Sequence, residues 1–392
     1  MKKLLLSIAL LVGVGLSCSG QGRLVSVLKE QTLTLDQQID SVIQEFGVDV
    51  RAKDMGRAVR LLQQFGRSVR YVAISYRTVD PLGNPVIASG LISFPAHGSI
   101  RGVVEIPPYS RQKSFCGTKR LYTTEGMTSV LGYITLIPDN IGYGSTESLP
   151  IAYQMCDNSA LVSAHLREAA EEYFIQNRKR KMPSSSIIFG YSLGAANALA
   201  LAYYYSEQTK VKVKAVCLGS GAYDPSLALE HTLQSGTIHY LIYPGIVSSL
   251  NAWKHAGLAP ENLFKGRVLE EFDLIAGGND SPKDLADQYG TDVHTYLHPD
   301  FFNGKGNSDI LRLKETLASL TIPKEDKHPL PASVKVIIRH SVEDDIVPVA
   351  CSDRMVRQLR APGRLVQYFR VKKGTHYETA VFSFIDLGLL LL

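Results

Sequence analysis

The sequence predicts an α/β fold, in which helices cover both faces of a mostly parallel central sheet and a helical cap is inserted between two strands. Three observations lead to this fold class. Continuous apolar runs of strand length alternate with longer helical patterns, which is typical of parallel strands buried on both faces. One such run, 187–191, leads through a Gly-x-Ser-x-Gly motif into an alanine-rich helix. The alternation stops between 222 and 330, where aromatic residues and prolines recur.

The chain divides into five consecutive segments on the basis of these patterns. A basic start and an apolar run too short to span a membrane predict a signal peptide. Apolar residues at helical spacing follow, around 35–46 and 58–65, before the strand patterns begin. The predicted segments are the signal peptide (1–18), an N-terminal tether and helical appendage (19–68), the first part of the core (69–221), the helical cap (222–330) and the second part of the core (331–392).

The secondary structure of the core follows from the spacing of its apolar residues. Two period-two runs joined by a turn rich in proline and glycine predict an antiparallel hairpin at one edge of the sheet. The cap is expected to cover the carboxyl ends of the strands, with a peripheral helical subdomain as the alternative. The predicted strands are 71–79, 86–94, 103–106, 133–137, 187–191, 213–218, 334–339 and 366–371, and the predicted helices are 158–176, 310–320 and a closing helix from about 379.

Composition and charge narrow the class of protein. Of the 392 residues, 45% are hydrophobic and 20% are charged, which is typical of a folded globular protein. The net charge of +5 is small for this length, and no basic run is interleaved with aromatic residues, so we expect no nucleic-acid partner. No motif indicates a metal site or an organic cofactor, and the chemistry is expected to need neither.

The N-terminus and the cysteines indicate where the protein resides. Cys18 follows Ser17 at the end of the apolar run, which resembles the lipoprotein motif whose cysteine becomes the lipidated N-terminus. We therefore expect export, either as a periplasmic, outer-membrane or cell-surface lipoprotein or as a secreted protein, with membrane contact only through such an anchor. In an oxidising compartment Cys116 and Cys156 are candidates for a disulfide, whereas Cys217, in a predicted strand, is expected to be a buried free thiol.

The Gly-x-Ser-x-Gly motif predicts that Ser192 is a nucleophile. Between a strand and a helix, this motif forms a nucleophile elbow, a turn so sharp that the serine is strained and its hydroxyl is exposed. Gly190 and Gly194 are required because a side chain there would collide with the neighbouring strand or helix. The N–H of Leu193, at the start of the helix, is expected to bind a developing oxyanion. A tight turn without a catalytic role is the alternative.

A serine hydroxyl needs an adjacent base, and the base needs an acid that orients it. His376 follows the last predicted strand and has the position that such a base requires. Asp344, in an acidic turn after the strand that ends near 339, is the predicted acid. Asp345 and Glu343 in the same turn are the alternatives, and Asp224, after the preceding strand, is a further one.

The second oxyanion donor is expected in the loop after the strand at 103–106. Pro107 and Pro108 have no N–H, so Tyr109 is expected to donate, with Ser110 as the alternative. The histidines His165 and His340 are expected to be structural.

These residues resemble the α/β-hydrolase superfamily and, within it, the secretory lipase family, over roughly 71–384. The loop with two prolines after 106 and Ser341, where a glycine is common, depart from the family pattern. The motifs that carry the resemblance are 76–80 with 83–86 and 89–90, similar to the family's opening hairpin, 137–144, similar to its Pro-Asp-Tyr-x-Gly-x-Gly turn with Asn140 in the tyrosine position, and 344–348, similar to its acidic turn.

The resemblance implies an α/β-hydrolase fold and a serine carboxylesterase or lipase. Such an enzyme hydrolyses a small-molecule, lipid or carbohydrate ester through a Ser-His-Asp triad and an acyl-enzyme. A serine peptidase of the same fold is one alternative, although no paired-glutamate motif for a peptide terminus occurs in the cap. A non-catalytic surface binding protein is the other, although it would not need the serine, acid and histidine in this order.

Overall fold

The computed structural model describes residues 22–46, 67–114, 116–304, 306–324, 330–361 and 363–392. The predictions for the signal peptide, for Cys18 and for the helical spacing at 58–65 fall outside these residues. The strands are β1 (Leu24–Leu33), β2 (Val69–Val79), β3 (Pro85–Pro95), β4 (Gly102–Glu105), β5 (Tyr133–Pro138), β6 (Ser185–Tyr191), β7 (Lys212–Gly219), β8 (Lys335–Ser341) and β9 (Val366–Val371).

Along the described part of the chain, α-helices precede the core strands, lie between them and follow the last one. They are α1 (Leu35–Phe46), α2 (Cys156–Arg178), α3 (Leu193–Gln208), α4 (Pro225–Ser235), α5 (Tyr243–Lys254), α6 (Gly266–Glu270), α7 (Phe272–Ala276), α8 (Pro282–Tyr289), α9 (Ser308–Ser319), α10 (Val349–Arg360) and α11 (His376–Leu391). Short 3₁₀ helices occupy Thr124–Leu131, Gly144–Thr146, Pro260–Asn262, Val293–Thr295 and Pro299–Phe301. None of these helices is both long and apolar enough to cross a membrane.

The strands form one mixed sheet in the order β1-β2-β3-β5-β4-β6-β7-β8-β9. The pairs β1–β2, β2–β3 and β3–β5 are antiparallel, and every later pair is parallel. The carboxyl ends of β4, β6, β7 and β8 therefore meet at one edge, where loops can bring distant side chains together. The predicted α/β fold class with a mostly parallel sheet is confirmed.

The N-terminal segment differs from its prediction as a tether and helical appendage. Leu24 to Leu33 forms β1, which pairs along β2 from Tyr76 to Val69, so β1 and not the β2–β3 hairpin forms this edge of the sheet. Most β1 side chains are exposed, and its position is therefore fixed by backbone hydrogen bonds and not by a buried face that apolar spacing would reveal. The helical spacing at 35–46 does form a helix, α1.

Side-chain alternation along the strands places two hydrophobic clusters on opposite faces of the sheet. On β6, Ile188 belongs to one cluster, while its neighbours Ile187 and Phe189 belong to the other. Helices α2, α3 and α10 pack on the first face, and α1, the 3₁₀ helix Thr124–Leu131 and α11 pack on the second. Both faces are buried, which explains why the parallel strands are continuously apolar.

The chain between β7 and β8 leaves the sheet, and its described residues form six α-helices, α4 to α9. Their buried residues, among them Leu229, Ile246 and Leu313, belong to the same cluster as the α2 and α3 face. Helix α5 also bonds to the core directly, because the Ser249 hydroxyl donates to the Tyr153 carbonyl at 2.9 Å. The described residues of this segment, which we call the cap, are therefore packed onto the core.

Candidate active site

Ser192 lies in the sharp turn between β6 and α3, and its backbone is strained. Its φ of 56° and ψ of −127° are rarely adopted by a residue with a side chain. The turn is held because the Ser192 N–H donates to the Gly219 carbonyl at 2.9 Å. A Cβ on Gly190 would lie 2.1 Å from the Gly194 carbonyl oxygen, so only glycine fits there. The backbone thus has the elbow conformation, while the role of Ser192 as nucleophile stays a prediction.

The two expected oxyanion donors lie on segments that touch. Leu193 is the first residue of α3, where the backbone N–H groups have no partner within the helix. A Cβ on Gly194 would lie 2.8 Å from the Pro107 carbonyl oxygen and 3.2 Å from the Tyr109 nitrogen. Gly194 is therefore required by the loop after β4. This close approach places the Tyr109 backbone against the first turn of α3.

The loop that carries Tyr109 is fastened on both sides. Asn197, one turn into α3, donates its side-chain amide to the Pro108 carbonyl at 3.0 Å. Ser110 accepts a hydrogen bond from the Tyr153 hydroxyl, so its side chain faces the loop before α2. The predicted donor Tyr109 is thus held beside the elbow, and its alternative Ser110 lines the neighbouring cavity.

His376 and Asp344 are in direct contact. The His376 Nδ1 lies 2.9 Å from each carboxylate oxygen of Asp344, and both side chains are buried. Because Nδ1–H donates to the carboxylate, Nε2 is the nitrogen left to accept a proton. The imidazole ring centroid lies 4.8 Å from that of Tyr191, the residue immediately before Ser192. The structure therefore brings the predicted acid and base together next to the elbow.

The other carboxylates that the sequence left open face elsewhere. Asp345 accepts a hydrogen bond from the backbone N–H of His376 at 2.9 Å and does not bond to its ring. Glu343 is exposed. Asp224 caps α4 by accepting the Leu227 N–H at 3.1 Å and forms an ion pair with Arg354. Of the four candidates, Asp344 is the one that bonds to the imidazole ring of His376.

Asp344 is held as a carboxylate by several groups. Burial alone would raise its pKa, but the charge of His376 and hydrogen bonds from His340 and His376 outweigh this and hold the pKa well below its usual range. Its Oδ1 also accepts the backbone N–H groups of Ile346 at 3.1 Å and Val347 at 2.8 Å. Such a carboxylate remains negative at neutral pH and can stabilise an imidazolium beside it.

His376 lies at the start of a helix, and not in the loop before it as the sequence analysis expected. Thr375 caps α11: its hydroxyl accepts the Glu378 N–H at 3.3 Å, while the Glu378 carboxylate accepts the Thr375 N–H at 2.8 Å. This capping box has a Thr-x-x-Glu signature that is readable in the sequence. It fixes the first turn of α11 and hence the direction of the imidazole.

A cavity of about 40 Å³ lies beside Ser192 and Leu193, between the core and the cap. Its walls include Ala228 and Ile246 from the cap helices α4 and α5, and none of the described residues that line it is charged. The cap also reaches the histidine, because the Tyr240 ring centroid lies 6.4 Å from that of His376. The site is therefore partly enclosed and largely apolar.

The cysteines do not form the disulfide that was considered. Cys116, Cys156, Cys217 and Cys351 are all buried free thiols, which confirms the expectation for Cys217. The Cys116 thiol contacts the Thr118 hydroxyl at 3.1 Å, whereas Cys156 packs among apolar residues at the start of α2. Burial raises the pKa of Cys156 to about 12, so its thiol is unreactive. No group of metal-binding side chains is assembled within the described part of the chain.

Comparison with solved structures establishes the fold. The chain superposes on a predicted hydrolase from Legionella pneumophila with a TM-score of 0.74, at 18% identity over 94% of this chain and 97% of that one. It superposes on the rice cell wall degrading esterase LipA from Xanthomonas oryzae with a TM-score of 0.69, at 16% identity over 93% and 96%. The chain has the α/β-hydrolase fold.

The fold is also shared with more distant proteins. Candida antarctica lipase A superposes with a TM-score of 0.60, at 12% identity over 81% of this chain and 75% of that one. No family model matches the sequence, and no curated protein matches it. Ser192, Asp344 and His376 follow the carboxyl ends of β6, β8 and β9, at the edge where open α/β sheets bind their ligands.

The sequence analysis took His340 as structural and did not predict its contact with Asp344. His340 is fully buried at the end of β8, and its Nε2 lies 2.9 Å from the Val347 carbonyl and 3.3 Å from Asp344 Oδ2. Its Nδ1 contacts the Ser352 hydroxyl at 2.7 Å. A histidine four residues before the acid was the available signal, but a strand-end histidine is more often structural.

Proposed function

We propose that the protein is a serine carboxyl ester hydrolase of the esterase or lipase type. The observation that carries the proposal is the Asp344–His376 hydrogen-bonded pair beside the strained turn of Ser192. An acid that orients a histidine next to a serine on an elbow is the arrangement that activates a hydroxyl for acyl transfer. Two of the structures that share the fold belong to an esterase and a lipase, which favours esters over peptides.

In the first half of the reaction, the Ser192 hydroxyl oxygen attacks the ester carbonyl carbon while His376 Nε2 takes its proton. The carbonyl oxygen becomes an oxyanion that the N–H groups of Leu193 and Tyr109 stabilise, and each such donor lowers the barrier by about 3 kcal/mol. Asp344 stabilises the imidazolium. The bond from the carbonyl carbon to the alcohol oxygen then breaks, and the alcohol leaves with the proton from His376.

The second half repeats these steps with water. His376 Nε2 removes a proton from water, whose oxygen attacks the carbonyl carbon of the acyl-serine. The tetrahedral intermediate collapses by breaking the bond to the Ser192 oxygen, which recovers the proton from His376. A carboxylic acid is released and the free enzyme is restored, with no oxidant, reductant or metal required by these steps.

The test is hydrolysis of p-nitrophenyl acetate and butyrate by the wild type, by Ser192→Ala and by the control Ser206→Ala. Ser206 lies on the same helix, α3, but is exposed, and its hydroxyl donates to the Ala202 carbonyl at 2.8 Å. We expect Ser192→Ala to lose activity by at least about 10⁴-fold and Ser206→Ala to retain it.

Labelling by a fluorophosphonate is measured on the same three proteins. Labelling that requires Ser192, without turnover of any ester, would keep the nucleophile and redirect the search to peptide substrates. Absence of both labelling and turnover in the wild type would contradict the proposal and favour a binding protein.

A further inference from the structure

The cavity beside Ser192 is lined by residues of both the core and the cap. Ser192 and Leu193 line it from the core, and Ala228 and Ile246 line it from the cap helices α4 and α5. The residues of its described lining are neutral, and most are aliphatic or aromatic. A charged group placed there would lose its hydration without gaining a partner, whereas an alkyl chain would be transferred out of water favourably.

The position of the histidine decides which half of an ester the cavity can take. The alcohol oxygen must receive its proton from His376, so the alcohol lies on the His376 side of the reacting carbon. His376 is not among the described residues that line the cavity, whereas Ser192 and the oxyanion donor Leu193 are. The group that extends into the cavity is therefore the one that stays bonded to Ser192 in the acyl-enzyme.

The volume limits the length of that group. The cavity measures about 40 Å³. Since one water-sized group needs about 10–15 Å³ on this measure, the space accepts roughly three such groups. We infer that this cavity is the acyl pocket of the proposed esterase and that it restricts the acyl group to about two to four carbons. The inference rests on the proposed function, because it takes Ser192 to be the acylated residue.

Two residues of the cavity wall allow this limit to be tested in both senses, because one can be enlarged and the other can be made smaller. Ala228 has a small side chain, so a larger one would occupy the cavity. Ile246 is 2% exposed and forms part of the wall from α5. An apolar pocket discriminates by about 10–200-fold for each methylene that does not fit. Changing either wall should therefore move the chain-length limit and leave the reaction itself intact.

The experiment measures kcat/KM for p-nitrophenyl acetate, butyrate, hexanoate and octanoate, which share one leaving group. For the wild type we expect similar values for acetate and butyrate and a fall of at least about 10-fold at hexanoate and again at octanoate. Ala228→Leu should lower the butyrate value by at least about 10-fold and the acetate value by less than about 3-fold. Ile246→Ala should raise the octanoate value by about 10-fold.

The matched control is Leu250→Ala, which removes the same number of carbons one turn further along α5. Leu250 is buried but is not among the residues that line the cavity, so its substitution should leave the chain-length profile unchanged. A thermal-shift measurement establishes that each variant is folded before kinetics. If Ile246→Ala does not fold, the wild-type profile and Ala228→Leu still decide the question.

A second series varies the alcohol on a constant acetyl group, from methyl to octyl. A wild-type acyl profile that is flat to octanoate, or that rises with chain length, would overturn the acyl-pocket assignment while leaving the esterase proposal intact. A flat acyl profile with a steep alcohol profile would assign the cavity to the alcohol instead. Absence of both turnover and fluorophosphonate labelling would overturn the proposed function and, with it, this inference.

Discussion

The carboxyl edge of the sheet carries the proposed reacting groups, whereas the cap shapes the cavity beside them. At the sheet edge, Ser192, Asp344 and His376 each follow one strand closely, and hydrogen bonds of 3.1 Å or less hold the acid and base. In the cap, Ala228 and Ile246 contribute only the shape of their apolar side chains. The first region is polar and tightly specified, and the second is apolar and adjustable.

This difference predicts how each region responds to change. A reacting group cannot be replaced without loss, because its geometry must be kept within fractions of an ångström. A wall residue can be replaced, because hydrophobic contacts are not directional. Substitutions at the sheet edge should therefore lower kcat, whereas substitutions in the cap should redistribute kcat/KM among substrates.

The largest expected effect separates the two neighbouring aspartates of the acidic turn. Asp344→Asn should lower kcat by about 10⁴-fold. An amide whose oxygen accepts the Ile346 and Val347 N–H groups turns its NH2 toward His376, which favours the wrong tautomer, and it cannot stabilise the imidazolium. Asp345→Asn should lower it by less than about 10-fold, because its oxygen accepts only the backbone N–H of His376 and an amide oxygen can do the same. The measurement is steady-state ester hydrolysis; equal losses in both variants would contradict the assignment of Asp344.

The sheet edge was largely predictable because its signals are local. Ser192 lies in a five-residue motif between a strand and a helix, and its strained φ of 56° follows from that context. The choice of Asp344 over Asp345 depended on register, which the structure shows by the contact with His376. The start of α11 at His376 was readable too, because Thr375 and Glu378 form a capping box whose signature was overlooked.

The cavity and the edge strand could not be predicted because their determinants are not local. The cavity joins Ser110, Tyr153 and Ile246, which are far apart in the chain, and no spacing rule encodes their proximity. β1 lacks a buried face, so its pairing with β2 leaves little trace in the apolar pattern. His340 lies beside Asp344 because its ring is held between the Val347 carbonyl and the Ser352 hydroxyl, and sequence spacing does not reveal these contacts.

The second prediction compares one glycine from each region. Gly194→Ala should lower kcat by about 10²-fold, because its Cβ would lie 2.8 Å from the Pro107 carbonyl oxygen and would displace Tyr109, the proposed oxyanion donor. Gly245→Ala, in the cap helix α5, should leave kcat unchanged, because the new Cβ would meet no described atom within 4 Å beyond its chain neighbours and its own helix backbone. It should also raise stability by about 0.4–1 kcal/mol, because alanine restricts the unfolded chain.

Ester kinetics and thermal unfolding on both glycine variants distinguish these expectations. Full activity in Gly194→Ala would show that the loop after β4 does not supply an oxyanion donor.

The third prediction concerns the two histidines that the sequence analysis took as structural. His340→Leu should lower kcat about 10-fold with little change in KM, because Asp344 would lose a hydrogen-bond donor that fixes its carboxylate. His340→Gln, which keeps a donor, should recover part of this loss. His165→Leu is the control: His165 bonds to the Thr78 hydroxyl at 2.9 Å, on the α2 side of the sheet.

The His165 variant should lose about 1–3 kcal/mol of stability and keep its kcat, because a buried hydroxyl is left unpaired away from the site. A similar fall in kcat for His165→Leu and His340→Leu would assign both residues to folding alone.

The smallest expected effect is on the pH dependence of stability, and it compares two buried carboxylates, Asp344 at the sheet edge and Asp309 in the cap. Burial raises the pKa of Asp344, but His376 and the hydrogen bonds outweigh it and leave the pKa well below its usual range. In the cap, hydrogen bonds from Asn262 and from the Ala259 N–H lower the pKa of Asp309. A depressed pKa contributes stability that is present above the unfolded value of about 4 and is lost as the pH falls through the folded value.

Between about pH 4 and pH 2 the wild type should therefore lose more free energy of unfolding than either Asp344→Asn or Asp309→Asn, measured by urea denaturation. The gap between wild type and variant in the free energy lost should be larger for Asp344→Asn than for Asp309→Asn. A protonated Asp344 no longer attracts the imidazolium of His376, whereas a protonated Asp309 still accepts the hydrogen bonds from Asn262 and Ala259. Parallel pH curves for Asp344→Asn and the wild type would mean that His376 does not hold this carboxylate ionised. The sheet edge would then owe its geometry to packing, as the cap does.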